Sequence, residues 1–445
     1  HTQSAVNNFL GMHRYDANFQ IKVGAWTADK DCYAFGNVLH WKPLLPYARR
    51  GGALPDNKGI AWFSPVWGTT TEHVIGAWQI YQHTGDVDFL HDCYDDYFKV
   101  LFKDGMHGHW GCHYDAAECL RKMAILTGDS EDPDRWLELV HMDHRAHWLR
   151  NMWERHQPNF FGGSDKQLDW SGFAYLRNSY FPEDWAYRMT KHWAMDSKQG
   201  FLWEIPLSTV AMRDFDQISD VFTSTPDTNY YAVLGMYNCH VGRNANQIAL
   251  VHLKKYNMHW GIPIAPEAWS KVPAPWGDQY SNFNAGKILL ILEGMAGLEY
   301  SIPQSTLTVC DSMPEDWGSM ELRIPMKVDG RMCWPQVLYQ RKAAGPQPNS
   351  SYRSDRTGPL PLVAQSGATQ HDLQYTVQDG IVRKTISVRG NPLTHLKIQP
   401  WLEEGTVHSA PDGYAIENQG RNHIGYRFED QPNASVTIEI EKRKK

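Results

Sequence analysis

The sequence predicts an α+β fold in two parts, a ring of helical hairpins followed by an antiparallel β-sandwich. Three observations carry this. Up to about residue 300 the apolar residues recur at helical spacing, and from about 305 onward they alternate with polar ones. The helical part also repeats a helix–Gly turn–helix rhythm, in Thr84-Gly85-Asp86 and Thr127-Gly128-Asp129, with a looser copy in Val241-Gly242-Arg243-Asn244. Each of these turns fits a Gly that ends one helix in a left-handed conformation, with Asp capping the next helix. No strict sequence period accompanies the rhythm, which favours a closed toroid over an open solenoid.

The helices are justified one by one. Val74, Ala77, Trp78 and Tyr81 fall on one face, as do Tyr94, Tyr97, Phe98, Leu101 and Phe102. Ala117, Leu120 and Ala124 repeat the pattern, and Ala285, Ile288, Leu289, Leu292 and Ala296 give it most clearly. Between the helices run long loops rich in Trp, Pro, Gly and His, at 59–71, 104–113, 159–170 and 262–282. Loops of this length in a compact domain usually carry function. In the second part, Leu373–Val377 and Ile381–Val388 flank the turn signal Asp379-Gly380, and Ser435–Glu441 is a closing alternating strand. These patterns place a helical domain at 1–302 and a β-sandwich domain at 303–445.

Composition narrows the function classes. Lys and Arg number 43 against 50 Asp and Glu, a net charge of −7, with no basic block, so nucleic acid is not an expected partner. Apolar runs such as 288–292 are far too short to span a bilayer, so no membrane partner is expected either. Hydrophobic residues are 42% of the chain, enough for a packed core. The 19 Trp are the unusual feature. Flat indole faces stack on the apolar faces of sugar rings, so a Trp-rich chain reads as carbohydrate-active, beside the plainer reading of a Trp-rich core. Seven scattered Cys, none in CxxC, make no disulfide framework and leave at least one thiol unpaired within the chain. His1 opens no signal-peptide pattern and reads as a processed or trimmed end. Two glycosylation sequons, Asn349-Ser350-Ser351 and Asn433-Ala434-Ser435, point to an extracellular or secretory location.

Four stretches hold candidate chemistry. Asp29-x-Asp31 before a helix suits either capping or the holding of sugar hydroxyls. Trp67-Gly68 followed by Glu72-His73 puts an acid at a helix start, where the dipole also favours it. Glu267 and Trp269, then Trp276 and Asp278, place two acids in an aromatic, Pro-rich loop ahead of the apolar helix at 285. Carboxylates among indoles have raised pKa values, which suits acid–base work on a glycosidic bond. Finally, His107, His109, Cys112, His113, Asp115 and Glu118 form a cluster whose spacings fit no recognised metal motif. His141, Asp143, His144 and His147 do not form one either, so no metal or cofactor is expected and His113 is assigned to substrate contact.

Two segments resemble a known family. Asp29-x-Asp31 with Phe35-x-Asn37-Val38-Leu39, then Gly68-Thr69-Thr70 with Glu72-His73-Val74-x-Gly76, is similar to the opening of the catalytic barrel in family 65 glycoside hydrolases and phosphorylases. That group includes the protein-glucosylgalactosylhydroxylysine glucosidases. Phe283-Asn284-Ala285-Gly286 through Gly294-Met295-Ala296-Gly297-Leu298 resembles its last barrel helix. The resemblance touches residues 26–80 and 230–325. It implies an (α/α)6 barrel and an inverting mechanism, with a base near Glu267 or Asp278 and a sugar subsite at Asp29, Asp31 and Glu72. It departs at the acid. The family keeps a Glu in the loop before the helix matching 116–126, where this chain offers no carboxylate until Asp115 and Glu118.

The expectation is therefore a glycoside hydrolase acting on an oligo- or polysaccharide. Glu267 or Asp278 is its base, Asp115 its acid unless another loop supplies one from Asp165 or Asp169, and Asp29, Asp31, Trp67, Glu72, His73, His113, Trp269 and Trp276 hold the sugar. A uronate lyase remains the alternative, with Tyr237, Asn238, His240 and Arg243, or Tyr114 beside His113, as its β-elimination set. A third reading is a non-catalytic carbohydrate-binding or structural protein on the same scaffold, for which the missing acid is the best argument. A phosphorylase differs from the hydrolase only in placing phosphate where water would attack.

Overall fold

A computed structural model describes residues 25–26, 70–99, 102, 113–140, 233–237, 245–246, 249–250, 253, 265–269, 275–280, 286–314, 317–344, 380–400, 405–409, 415–419 and 423–442. Helices α1 (Thr70–Thr84), α2 (Val87–Cys93), α3 (His113–Thr127) and α4 (Arg135–Val140) pack into one helical group. The expected stripes point inward. Val74, Ala77 and Tyr81 of α1 and Ala117, Leu120 and Ala124 of α3 are all buried, together with Phe98 and Phe102. After α2 the chain makes a wide turn at Tyr94–Phe98, which brings the Tyr94 ring into the same core.

Both Gly turns adopt the left-handed backbone, with φ of +70° at Gly85 and +71° at Gly128. Asp86 caps α2 as expected, its Oδ1 accepting from the Phe89 N–H at 3.0 Å. Asp129 does something different. It is not a helix cap but a buried hub, because Tyr94, Lys99 and Arg135 all reach it from neighbouring turns. The copy at 241–244 lies outside the described residues.

The strands start earlier than the break at about 305, with β1 (Ala265–Trp269) and β2 (Pro275–Tyr280). The helix at 286–295 ends in a wide turn, Leu290–Met295, and Gly297 (φ +54°) swings the chain into β3 (Leu298–Ser301). Then follow β4 (Thr306–Asp311), β5 (Ser319–Arg323), β6 (Met326–Val328), β7 (Arg331–Cys333), β8 (Gln336–Ala344), β9 (Gly380–Arg389) and β10 (His395–Pro400). The last four are β11 (Gly405–Ser409), β12 (Ala415–Gln419), β13 (His423–Glu429) and β14 (Asn433–Lys442). One five-stranded sheet has the order β12-β13-β10-β4-β3 and a second the order β11-β14-β9-β8-β5. Pairing is antiparallel except between β10 and β4. The arm 373–377 of the expected hairpin lies outside the described residues, and β9 pairs with β8 and β14.

Alternation places Leu307, Val309, Leu396, Ile398, Tyr426 and Phe428 of the first sheet in the core, along with Val337, Tyr339, Ile386, Val388, Val436 and Ile438 of the second. Lys384 of β9 and Asp311 of β4 form a buried ion pair at 3.4 Å between the two sheets. The helical group and the last helix are each tied to the strands by a hydrogen bond. The Ile302 N–H donates to the Gln82 carbonyl of α1 at 2.7 Å, and the Tyr339 hydroxyl to the Ala296 carbonyl at 2.6 Å. No helix among the described residues is long and apolar enough to cross a membrane.

Gly297 makes a testable point about the junction. A Cβ there would lie 2.1 Å from the Cys310 carbonyl oxygen, on top of a left-handed φ. Gly330 has φ +77° but open space around it, in the two-residue turn that joins β6 to β7. Gly330→Ala is expected to cost about 1 kcal/mol, the left-handed backbone penalty alone. Gly297→Ala is expected to cost about 3 kcal/mol or more, because the β3–β4 pairing must also open. Urea unfolding of the two variants checks this, and equal costs would refute the close approach.

Candidate functional site

Glu267 and Asp278, expected in a loop, sit on neighbouring strands. β1 (Ala265–Trp269) and β2 (Pro275–Tyr280) form a two-stranded antiparallel hairpin. Pro266 pairs with Gln279 and Ala268 with Trp276, so the register slips by one residue between them. The slip is a bulge that sets Glu267 opposite Gly277 and Asp278. Pro266 and Pro275 argued for a loop, since Pro donates no ladder bond. In a two-stranded ribbon both strands are edges, where Pro is tolerated. Trp269 pairs with Pro275 across the same ribbon. Four of the predicted site residues thus share one short hairpin.

Glu72 and His73 fall in the first turn of α1, and His113 and Asp115 in the first turn of α3. An acid in a first turn is favoured by the positive end of the helix dipole. Asp115 is half-buried, and its charge joins burial in pushing the Cys119 thiol, one turn on, well above the usual thiol range. Asp29, Asp31 and Trp67 lie outside the described residues, as do His107, His109 and Cys112.

The chain entering the Asp29–Asp31 stretch is anchored by contacts that sequence reasoning missed. Trp26 Nε1 donates to Glu293 Oε1 at 3.2 Å, and Gln79 Nε2 of α1 donates to the same oxygen at 2.9 Å. The Trp26 ring meets His83 and Tyr300 edge-on, and those two rings stack at 3.8 Å. His83 Nδ1 donates to the Ala25 carbonyl at 2.9 Å. Position 72 lies two turns ahead of Gln79, about 10 Å along the same face of α1. The cluster therefore fixes α1, the last helix and the chain three residues before Asp29 relative to one another.

The last helix departs from its predicted stripe. Leu289 and Ala296 are buried, but Ile288 is 45% exposed and Lys287 is only 5% exposed. Gly294 explains part of this packing. A Cβ on it would lie 2.6 Å from the Tyr237 ring, so the helix presses closely against 233–237. Burial pushes the Lys287 ammonium down to about 7. The signal was present as a charge inside the apolar run 285–292, with a second charge, Glu293, directly after it. Between about pH 7 and the ordinary lysine range the unfolded chain holds this proton and the folded chain has released it. Deprotonation therefore favours the folded form, and stability is expected to rise with pH across that window, by at most about 1.4 kcal/mol per pH unit. Urea midpoints near pH 7 and pH 9 check this. The rise should vanish in Lys287→Met, and an unchanged rise would assign it to another group.

The first of the two lyase sets has its tyrosine tied into the core. Tyr237 is 6% exposed, its hydroxyl donates to Asn246 Oδ1 at 2.5 Å, and Asn246 Nδ2 donates to the Ser312 carbonyl at 2.8 Å. Burial pushes the Tyr237 hydroxyl well above its ordinary range, the wrong direction for a base. It joins the helical group to the strands. Asn238, His240 and Arg243 lie outside the described residues. Among the described residues no three His, Cys, Asp or Glu converge as a metal site.

No family model and no curated protein matches the chain. Solved structures do. The α-L-rhamnosidase of Dictyoglumus thermophilum is similar over 96% of this chain and 45% of its own, with a TM-score of 0.55 and 12% identity. The Streptomyces avermitilis α-L-rhamnosidase bound to L-rhamnose matches over 96% and 38%, at TM-score 0.49 and 11% identity. A family 127 β-arabinofuranosidase matches over 98% and 75%, at TM-score 0.42 and 11% identity. The chain spans less than half the length of the two rhamnosidases. The first likeness shows a shared fold, helices with antiparallel-rich sheets of a kind found in a glycoside hydrolase.

Proposed function

We propose that this chain is a carbohydrate-active enzyme that hydrolyses a glycosidic bond with inversion. Its architecture is read as an (α/α)6-type barrel at 1–302 followed by a β-sandwich at 303–445, of the six-hairpin, family 65-like kind. The observation that carries the reading is the β1–β2 hairpin, which sets Glu267 opposite Asp278 and places Trp269 and Trp276 in the same ribbon. Glu267, or Asp278 in its place, is the base that activates water, and Asp115 is the acid that protonates the leaving oxygen. Asp29, Asp31, Trp67, Glu72, His73 and His113 complete the sugar subsite. The two sequons support passage through the secretory pathway.

Because the rhamnosidase of like fold is named for α-L-rhamnosides, aryl α-L-rhamnosides and rhamnose-containing pectic oligosaccharides are the first substrates to try. Three readouts separate the chemistries. Sugar release without new ultraviolet absorbance, and without need for phosphate, is the expected result. Absorbance from an unsaturated uronate would make the chain a lyase. Strict dependence on phosphate with a sugar 1-phosphate product would make it a phosphorylase.

A further inference from the structure

Trp334 is 60% exposed, an unusual position for the largest apolar side chain. Its neighbours explain what it is placed to do. Pro335 is buried, Gln336 half-buried, Val337 buried and Leu338 half-buried, so the alternation of β8 extends back to Trp334. The Ile324 N–H donates to the Pro335 carbonyl at 3.0 Å, which continues the β5–β8 pairing to that point. Trp334 therefore stands on the outer face of the second sheet, beyond Gln336.

Gln336 is itself flanked in register. Arg323 of β5 pairs with it on one side and Arg389 of β9 on the other, followed by Asn433 of β14. The Arg323 side chain is 70% exposed, with its Nε 4.0 Å from a Glu321 carboxylate oxygen that leaves the rest of the guanidinium to solvent, and Arg389 is exposed too. The next rows are Glu321–Leu338–Ser387–Ser435 and Ser319–Gln340–Thr385–Thr437. Ser387 and Ser435, and Thr385 and Thr437, join through their hydroxyls across β9 and β14 at 2.9 and 3.0 Å. Glu321 accepts from Gln336 Nε2 at 2.5 Å and holds that amide in place. The result is a largely polar face about 14 Å across four strands, bordered at one end by an indole and two guanidinium groups.

An indole offers a stacking surface for a sugar ring. Amides and hydroxyls suit ring hydroxyls, and a guanidinium grips a carboxylate in two-point geometry. We infer that this outer face, with Trp334 as platform and Arg323 and Arg389 as anion contacts, binds an acidic polysaccharide bearing uronate carboxylates, apart from the proposed hydrolytic site. The inference takes up the carbohydrate reading above, but its test needs no turnover.

Affinity electrophoresis of the full chain through gels containing polygalacturonate tests it, with neutral arabinan as the comparison polymer. The wild type should be retarded by polygalacturonate and not by arabinan, less so as salt is raised. Trp334→Ala should weaken the retardation at least tenfold, and Arg323→Gln with Arg389→Gln should do the same. All three side chains are exposed, so these variants should keep the wild-type circular dichroism, and hydrolysis of an aryl glycoside should be unchanged. Absence of retardation in the wild type, equal retardation by arabinan, or undiminished retardation in Trp334→Ala would each overturn the inference. Loss of hydrolysis in every assay with retardation intact would count against the enzyme reading and leave this surface standing.

Discussion

Glu267→Gln is expected to lower kcat by roughly 10²–10⁴-fold, the usual contribution of a positioned proton-transfer group, while leaving stability and sugar binding near wild type. The amide keeps the shape of the carboxylate and removes its ability to take a proton from water. Glu267 lies at the bulge of the β1–β2 ribbon, where the register slips and the backbone leaves the regular ladder. Asp278→Asn is the paired experiment. If Glu267 is the base, Asp278→Asn should be the milder variant, and a reversed order would move the role to Asp278. Near-normal turnover in both would remove the ribbon from the chemistry. Initial rates on the substrate that gives sugar release, with a calorimetric binding measurement alongside, provide the readout.

Asp129→Ala is expected to do the opposite, costing about 3 kcal/mol of stability while sparing chemistry once the protein is folded. The Asp129 carboxylate is 2% exposed. Its Oδ1 accepts from Lys99 Nζ at 2.8 Å and from the Glu131 N–H at 3.2 Å. Its Oδ2 accepts from Arg135 Nη2 at 2.6 Å and from the Tyr94 hydroxyl at 2.7 Å. That hydroxyl in turn accepts from Trp136 Nε1 at 3.0 Å, and the Arg135 guanidinium lies over the Trp136 ring. Removing the carboxylate leaves the Tyr94 hydroxyl without its acceptor in a sealed place. Lys99 and Arg135 are partly exposed and recover some hydration, which keeps the cost below that of a fully enclosed ion pair. Lys99→Ala, which removes one donor of four, should cost only about 1 kcal/mol.

The pH dependence of this hub has a definite sign. Burial pushes the Asp129 carboxyl up, but the Lys99, Arg135, Tyr94 and Glu131 donors together outweigh it and hold the group well below the usual carboxylate range. Its contribution is therefore full above about pH 4, the ordinary aspartate value, and is lost as pH falls below that. Acid unfolding of the wild type should be steeper than that of Asp129→Asn. Matching acid limbs would show that another group controls it.

Much of the fold was legible because it rests on local rules. Val74, Ala77 and Tyr81 are inside because the spacing put them on one face, and Gly85 and Gly128 are left-handed because only a small residue ends a helix that way cheaply. What escaped was set by contacts distant in sequence. Asp129 reads as a cap until Tyr94, Lys99 and Arg135 are brought to it across two turns. Ile288 fits the helical stripe, yet the close approach of Gly294 to Tyr237 and the wide turn after Leu289 bury Lys287 in its stead. The ribbon at 265–280 was hidden by its prolines, which forbid a central strand and permit a two-stranded one. At the site, the residue types and the nearness of Glu267 to Asp278 were readable. The Trp26–Glu293–Gln79 anchor was not, because it joins residues more than two hundred positions apart.

A crystal structure of Glu267→Gln with bound sugar tests the central claim most directly. The account predicts a sugar ring resting against the β1–β2 ribbon. The amide of the substituted residue should lie on one face of the scissile bond, and a carboxyl should sit on the other about 6.5–9.5 Å away with a water between. A sugar bound elsewhere, with the side chain at 267 turned from it, would contradict the account.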